Sequence, residues 1–266
     1  MSESSAAPRD PRRTAVMTVL TVLAGAVDAV SFLTMGKVFC ALATGNVLFL
    51  AFALAGEGDV PVARPATAIG AFLVGAGAGA VVLKRVAARG RSWFAVGLTG
   101  EGLLLALGGA VAVVRHGGGA AAVAGSDLLV VGAVALAMGL RAATALRLDV
   151  PGMPTLLSQT AIARLVGDVL KEPRAALRGM SRRQRLARTR WTATVAGIFA
   201  GGVLGTLLLV PLGTGRALFV TAAVALLLAA AHLAVPPKEL KELRESRKRG
   251  ERTGPAGPGP AGPEAP

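Results

Sequence analysis

The chain has one cysteine, Cys40, in 266 residues, which excludes an internal disulfide. Its two histidines, His116 and His232, stand far apart and at the margins of apolar stretches, so a paired-histidine metal centre is not expected. No HExxH and no GxxxxGK followed by Ser or Thr occurs. The glycines at 117–119 lack a strand before them and a helix after them, so they do not make a phosphate cradle. With no nucleophile–base pair in view either, the sequence points away from an enzyme and calls for no cofactor and no metal. Charge is also scarce: Asp, Glu, Lys and Arg make up 17% of the chain, against 53% apolar residues.

What is present settles the class. Apolar runs of ~18 residues or more are long enough to cross a bilayer as helices, and several follow one another here. The expected fold is an all-α membrane protein: a membrane domain over 12–235, with halves at about 14–115 and 126–235. A disordered tail, 1–11, precedes it. Residues 236–266 follow as a charged and then Pro/Gly-rich tail, where GPAGPGPAGP is too short and irregular for a collagen helix. Arg9, Arg12 and Arg13 precede the first apolar run as in a signal peptide. That run outlasts the usual ~7–15-residue apolar core, so it reads as an uncleaved span.

Six full spans are expected, at 14–35, 65–83, 93–114, 126–146, 191–210 and 216–234. The formal charge of +14 would suggest nucleic acid in a soluble chain, but its distribution argues for topology instead. Lys84, Arg85, Arg89 and Arg91 share one loop, and eight basic residues from Lys171 to Arg190 share another, as the positive-inside rule requires of cytoplasmic loops. Both termini then lie in the cytoplasm, with anionic lipid as a secondary attraction for the basic loops. This assignment makes 38–56 begin and end outside and 151–170 begin and end inside. Each is therefore expected to be a broken or re-entrant segment, tolerated only where protein or a water-filled cavity surrounds it. The rival has seven spans, with 38–56 crossing fully and the N-terminus outside, at the expense of three misplaced arginines.

A faint internal repeat supports the six-span scheme. DAVS at 28–31 falls against RAAT at 141–144, ATGN at 43–46 against LSQT at 157–160 (one residue out of register), and AFLVGAGAG at 71–79 against GIFAGGVLG at 197–205. Three crossings per half would invert one half relative to the other, a frequent plan among secondary transporters. Gly75-x3-Gly79 and Gly197-x3-Gly201-x3-Gly205 are small-residue faces for close helix packing, and offer a possible homodimer surface.

Polar residues inside the apolar runs are the candidate site. Asp28 and Ser31 share the first span; Thr44, Gly45 and Asn46 sit in the first broken segment; Ser158 and Thr160, flanking Gln159, sit in the second. If 44–46 open a half-helix inside the membrane, its free N–H groups and positive dipole end suit a small polar or anionic solute. Asp28 reads either as a proton or cation ligand or as a carboxylate bonded to Ser31 or a backbone N–H. Glu101, ~12 Å into its span, matches Arg141 in depth better than Asp28 does, so a structural Glu101–Arg141 ion pair is expected. The functional expectation is a permease-like transporter of a small solute. The alternative is a non-transporting subunit or scaffold that binds a partner or anionic lipid through its basic loop.

The segment AGAVDAVSFLTMGKVFCALATGNVLFLAFALAG at 24–56 resembles the YoaK-type bacterial membrane proteins, in its G-x-x-D-A-x-S-F and following F-x-x-x-x-T-G-N blocks. The likeness extends more loosely over about 14–235. In the second half the chain departs from that family's pattern, with Leu140-Arg141-Ala142 and Ser158-Gln159 in place of Gln-Asn-Ala and Thr-Gly. The resemblance implies a multi-pass protein of the bacterial cytoplasmic membrane and carries no established activity.

Overall fold

Runs of this apolarity fold as helices because a helix satisfies every backbone N–H and C=O within the segment, without help from water. The computed structural model describes residues 11–57, 60–116, 127–148, 166 and 182–234. Among them six helices form: α1 (Pro11–Thr34), α2 (Ala43–Leu54), α3 (Ala63–Ala88), α4 (Trp93–His116), α5 (Leu128–Leu148) and α6 (Arg182–Ala234). Five are long and apolar enough to cross a membrane, α2 being the exception, and no strand occurs among the described residues. The second expected broken segment, 151–170, lies outside the described residues apart from Val166.

Two expected spans, 191–210 and 216–234, are found as one helical run with a break. Pro211 supplies no N–H, and Gly213 adopts φ 73°, ψ 175°, a conformation open in practice to glycine alone. The break gives α6 two arms with different partners. The arm before Gly213 packs on α1 through Gly197, Gly201 and Gly205, and the arm after it packs on α4, where Gly109 meets Gly215 and Gly102 meets Leu226.

Contacts fix the helix directions. From Thr67 against Gly132 to Gly79 against Ala143, α3 and α5 run the same way. From Gly97 against Thr144 to Gly108 against Val134, α4 runs opposite to α5, and it runs opposite to the second arm of α6 as well. The first arm runs with α1, from Gly197 at Thr21 to Gly205 at Ala26. α1 opposes α5: Leu20 meets Arg141, while Val30 shares a cluster with Val130. The starts of α1, α4 and α6 and the ends of α3, α5 and α6 therefore gather at one end of the bundle. Arg13, Lys84, Arg85, Arg89, Arg91, Arg147, Arg188 and Arg190 all lie at that basic end.

The glycine faces do their work inside this bundle. Gly75 and Gly139 leave no room for a Cβ between α3 and α5, meeting Leu136 and Phe72 respectively; Gly25 and Gly201 do the same between α1 and α6, meeting Ile198 and Val22. One uniform shift of numbering carries Gly25 and Val22 onto Gly139 and Leu136. A second carries Phe72 and Gly75 onto Ile198 and Gly201. The two interlocked pairs thus repeat the same contacts at the same positions. The Gly75–Gly79 and Gly197–Gly205 faces, which the sequence offered as a dimer surface, are taken up by α5 and α1 of the same chain.

α5 is the central helix, buried along most of its length, whereas α3 turns Leu73, Val74, Val81 and Val82 outward. Two apolar layers fill the interior. One, toward the basic end, holds Met17, Leu20, Leu98, Ala145 and Ala229; the other holds Val27, Val30, Leu105, Met138 and Leu218.

Replacing Gly139 or Gly201 by Ala forces a methyl into backbone and is expected to destabilise by roughly 1–3 kcal/mol. Gly77→Ala, with nothing within 4 Å of the new carbon, changes stability by less than ~0.5 kcal/mol. Denaturation of the three variants in one detergent checks the contrast.

Candidate functional site

α1 stops at Thr34 because the chain turns left-handed at Gly36 (φ 84°), and Lys37 N–H closes back on Phe32 C=O at 3.2 Å. This is a Schellman ending, and it sends residues 38–42 away without helical bonds of their own. α2 follows, 12 residues and ~18 Å long, well under the ~30 Å of a hydrocarbon core. It ends the same way, on left-handed Gly56 with Glu57 N–H bonded to Phe52 C=O at 3.0 Å. Residue 34 and residue 63 lie at the same end of the bundle, opposite the basic end. The segment between them enters and returns on one side.

The irregular stretch 35–42 has backbone groups that need partners, and two side chains supply them. Asp28 accepts hydrogen bonds from Ala41 N–H at 2.7 Å and Leu42 N–H at 3.1 Å. Asn46 reaches back to Phe39, accepting from its N–H at 3.0 Å and donating through Nδ2 to its C=O. Both side chains are buried. The Phe39 ring is wedged between Phe32 of α1 and Phe49 of α2, at centroid distances of 4.8 and 6.0 Å, and it covers Gly45. Cys40, also buried, points its thiol at Val131 C=O on α5 at 4.0 Å.

This geometry gives the expected residues different positions. Asp28, Ser31 and Asn46 gather around the 35–42 loop, with the Ser31 hydroxyl bonded to Asp28 C=O at 3.2 Å rather than to its carboxylate. Thr44 does not cap α2. The helix starts at Ala43 with Leu42 in the capping position, and Thr44 is exposed in the first turn. The positive end of α2 already faces a carboxylate, that of Asp28, which takes the place the sequence offered to an anionic solute. Ser158 and Thr160 lie outside the described residues.

A second polar level lies between the two apolar layers. Arg141 of α5 donates from Nη2 to Glu101 Oε1 of α4, and from Nη1 to Leu20 C=O of α1 at 2.9 Å. Side-chain exposure is 2% for Arg141 and 0% for Glu101, so this is a charge pair fully withdrawn from solvent. Glu101 Oε2 and Arg141 Nε have no hydrogen-bond partner among the described residues. Side-chain patterning could indicate Glu101 and Arg141. It held no signal for Leu20 C=O or for the Phe39 backbone, because main-chain partners carry no residue-type signature.

Buried charges, an interruption between α1 and α2 and five long apolar helices define a helical protein of membrane type. The chain belongs to the family described as a protein of unknown function, DUF1275, whose family model matches residues 16–231. No curated protein and no solved structure matches it.

Asp28→Asn removes the carboxylate from two N–H groups and is expected to lower stability by about 1.5–3 kcal/mol. It also frees the loop, so that Cys40, silent to maleimide in the native protein, becomes reactive in detergent. For the buried pair, Glu101→Leu alone is expected to cost about 3–5 kcal/mol, and Glu101→Leu with Arg141→Met far less, because only the single variant strands a charge. Unfolding of the two single variants and the double variant measures the coupling.

Proposed function

We propose that this protein is a permease-like transporter of the cytoplasmic membrane whose two halves, each of three spans and one re-entrant segment, alternate in exposing a polar site. The observation that carries the reading is the reciprocal packing of α1 on α6 and of α5 on α3. Such contacts are what a two-fold axis in the membrane plane gives when each half lends its first span to the other's second. Under that register Asp28 falls against Ala142 and Val27 against Arg141, one residue from the sequence pairing. The same shift brings Thr44 against Ser158 and Asn46 against Thr160. With the break at Gly213 counted as an outer turn, this reading has six crossings and the basic clusters on the cytoplasmic side, in keeping with the positive-inside rule.

Within this reading Asp28, Ser31 and Asn46 shape the re-entrant segment. Thr44 and the counterpart positions Ser158 and Thr160 are left to meet a small solute, polar rather than strongly anionic at this level, while Gly45 seats the Phe39 ring. A second reading, a non-transporting subunit or scaffold, is favoured by the way Asp28 and Asn46 spend their bonds on the loop backbone. Its partner or anionic lipid would engage the basic end.

Cysteine placed at Thr44 in a Cys40→Ser background separates the two. In sealed vesicles of known orientation, a moving transporter labels at this position with a membrane-impermeant thiol reagent from either side. A static scaffold labels from one side or from neither.

A further inference from the structure

We infer that the Glu101–Arg141 pair is a proton-exchanged anion site, in which a small planar oxyanion replaces Glu101 on the Arg141 guanidinium once Glu101 is protonated. The inference rests on the reading of moving halves, because both side chains are closed off in the structure described.

The argument starts from what the pair leaves unmade. A guanidinium and a carboxylate that meet side-on can share two parallel hydrogen bonds. Here Glu101 gives Arg141 one oxygen only: Oε1 takes Nη2–H, and Oε2 and Nε–H are both buried without partners among the described residues. The backbone offers Glu101 little freedom to improve on this. Gly97 and Gly100 hold α4 against Thr144 and Leu140 of α5, and Gly102 holds it against Leu226 of α6. A free carboxylate or nitrate is not tethered to α4 and can take Nε–H and Nη2–H together.

Position supports an exchange site over a packing device. The pair lies between the two apolar layers, with Leu98 and Ala145 on one side and Leu105 and Met138 on the other. Arg141 also ties α5 of one half to α4 and to the Leu20 carbonyl of α1 in the other. Movement of one half against the other must break these bonds, and a lone buried arginine is costly. A proton on Oε2 of Glu101 removes the carboxylate charge and releases Nη2–H, and one monovalent oxyanion restores neutrality. One proton and one anion therefore travel together without net charge. Of the other ionisable groups on the surrounding helices, Asp28 on α1 stands about two turns beyond Leu20, with its carboxylate on the Ala41 and Leu42 N–H groups. Arg13 on α1, Lys84 and Arg85 on α3, Arg147 on α5 and Arg188, Arg190 and His232 on α6 stand toward the basic end, and Arg216 toward the other.

The test is thermal unfolding of the full chain in detergent with sodium nitrate or sodium formate, against sodium chloride at equal ionic strength. For the native chain, the oxyanions are expected to raise the melting temperature at pH 5 and to do so much less at pH 8, since each anion bound takes up one proton with it. Glu101→Gln, which mimics the protonated acid, is expected to melt low in chloride. It should regain roughly 5 °C or more with saturating nitrate or formate, equally at both pH values. Arg141→Lys keeps the charge without the fork and should need at least about tenfold more anion. Equal shifts with chloride, or no oxyanion shift in either the native chain at pH 5 or Glu101→Gln, overturn the site. If Glu101→Gln does not fold, the pH comparison on the native chain decides. Two-sided labelling of Thr44→Cys reads the moving halves separately, so this site can fail while that reading stands.

Discussion

A chain that interrupts a helix within an apolar bundle must find partners for the backbone groups it frees, and the rest of this architecture follows from how it does so. Residues 38–42 carry N–H groups that no helix satisfies, and the Asp28 carboxylate takes two of them, at Ala41 and Leu42. Asn46 closes the same stretch from the other side by pairing with both polar groups of Phe39. Each unmet group would cost several kcal/mol in hydrocarbon, so these side chains are what makes the re-entrant path affordable. Once the path is fixed, α2 lies short against α3, and α3 begins at the end of the bundle where α1 stopped.

The second constraint is distance. Where water gives no advantage to burying one apolar face on another, helices associate by close packing, and small residues permit the closest approach. Gly25, Gly75, Gly139 and Gly201 bring backbone against backbone in two parallel pairs with matching contacts. α4 packs against α5 of one pair and against the second arm of α6, and the Glu101–Arg141 level lies where α4, α5 and α1 meet. One polar level thus lies toward each end of the bundle, Asp28 with the re-entrant loop on one side and the ion pair on the other. The first is saturated with hydrogen bonds, whereas the second holds an oxygen and a nitrogen in reserve.

Length and apolarity alone determined that this chain makes long membrane-type helices, because a bilayer's thickness translates directly into residues per span. An interruption of the apolar run was legible too, from Asp28, Gly45 and Asn46 standing inside it, and it falls at 35–42, ahead of an unbroken α2. The sequence could also point to Glu101 and Arg141, since two lone charges at like depth must meet something. Tertiary structure alone decided what each polar group does. Asp28 and Asn46 bond to main-chain atoms, Thr44 is left exposed rather than capping, and Arg141 adds the Leu20 carbonyl to its carboxylate. Backbone partners have no letter in the sequence, and the contacts match Gly25 with Gly139, one residue away from the DAVS–RAAT alignment. Those choices depend on how helices distant in the chain lie against one another, and periodicity within a single helix carries no record of them.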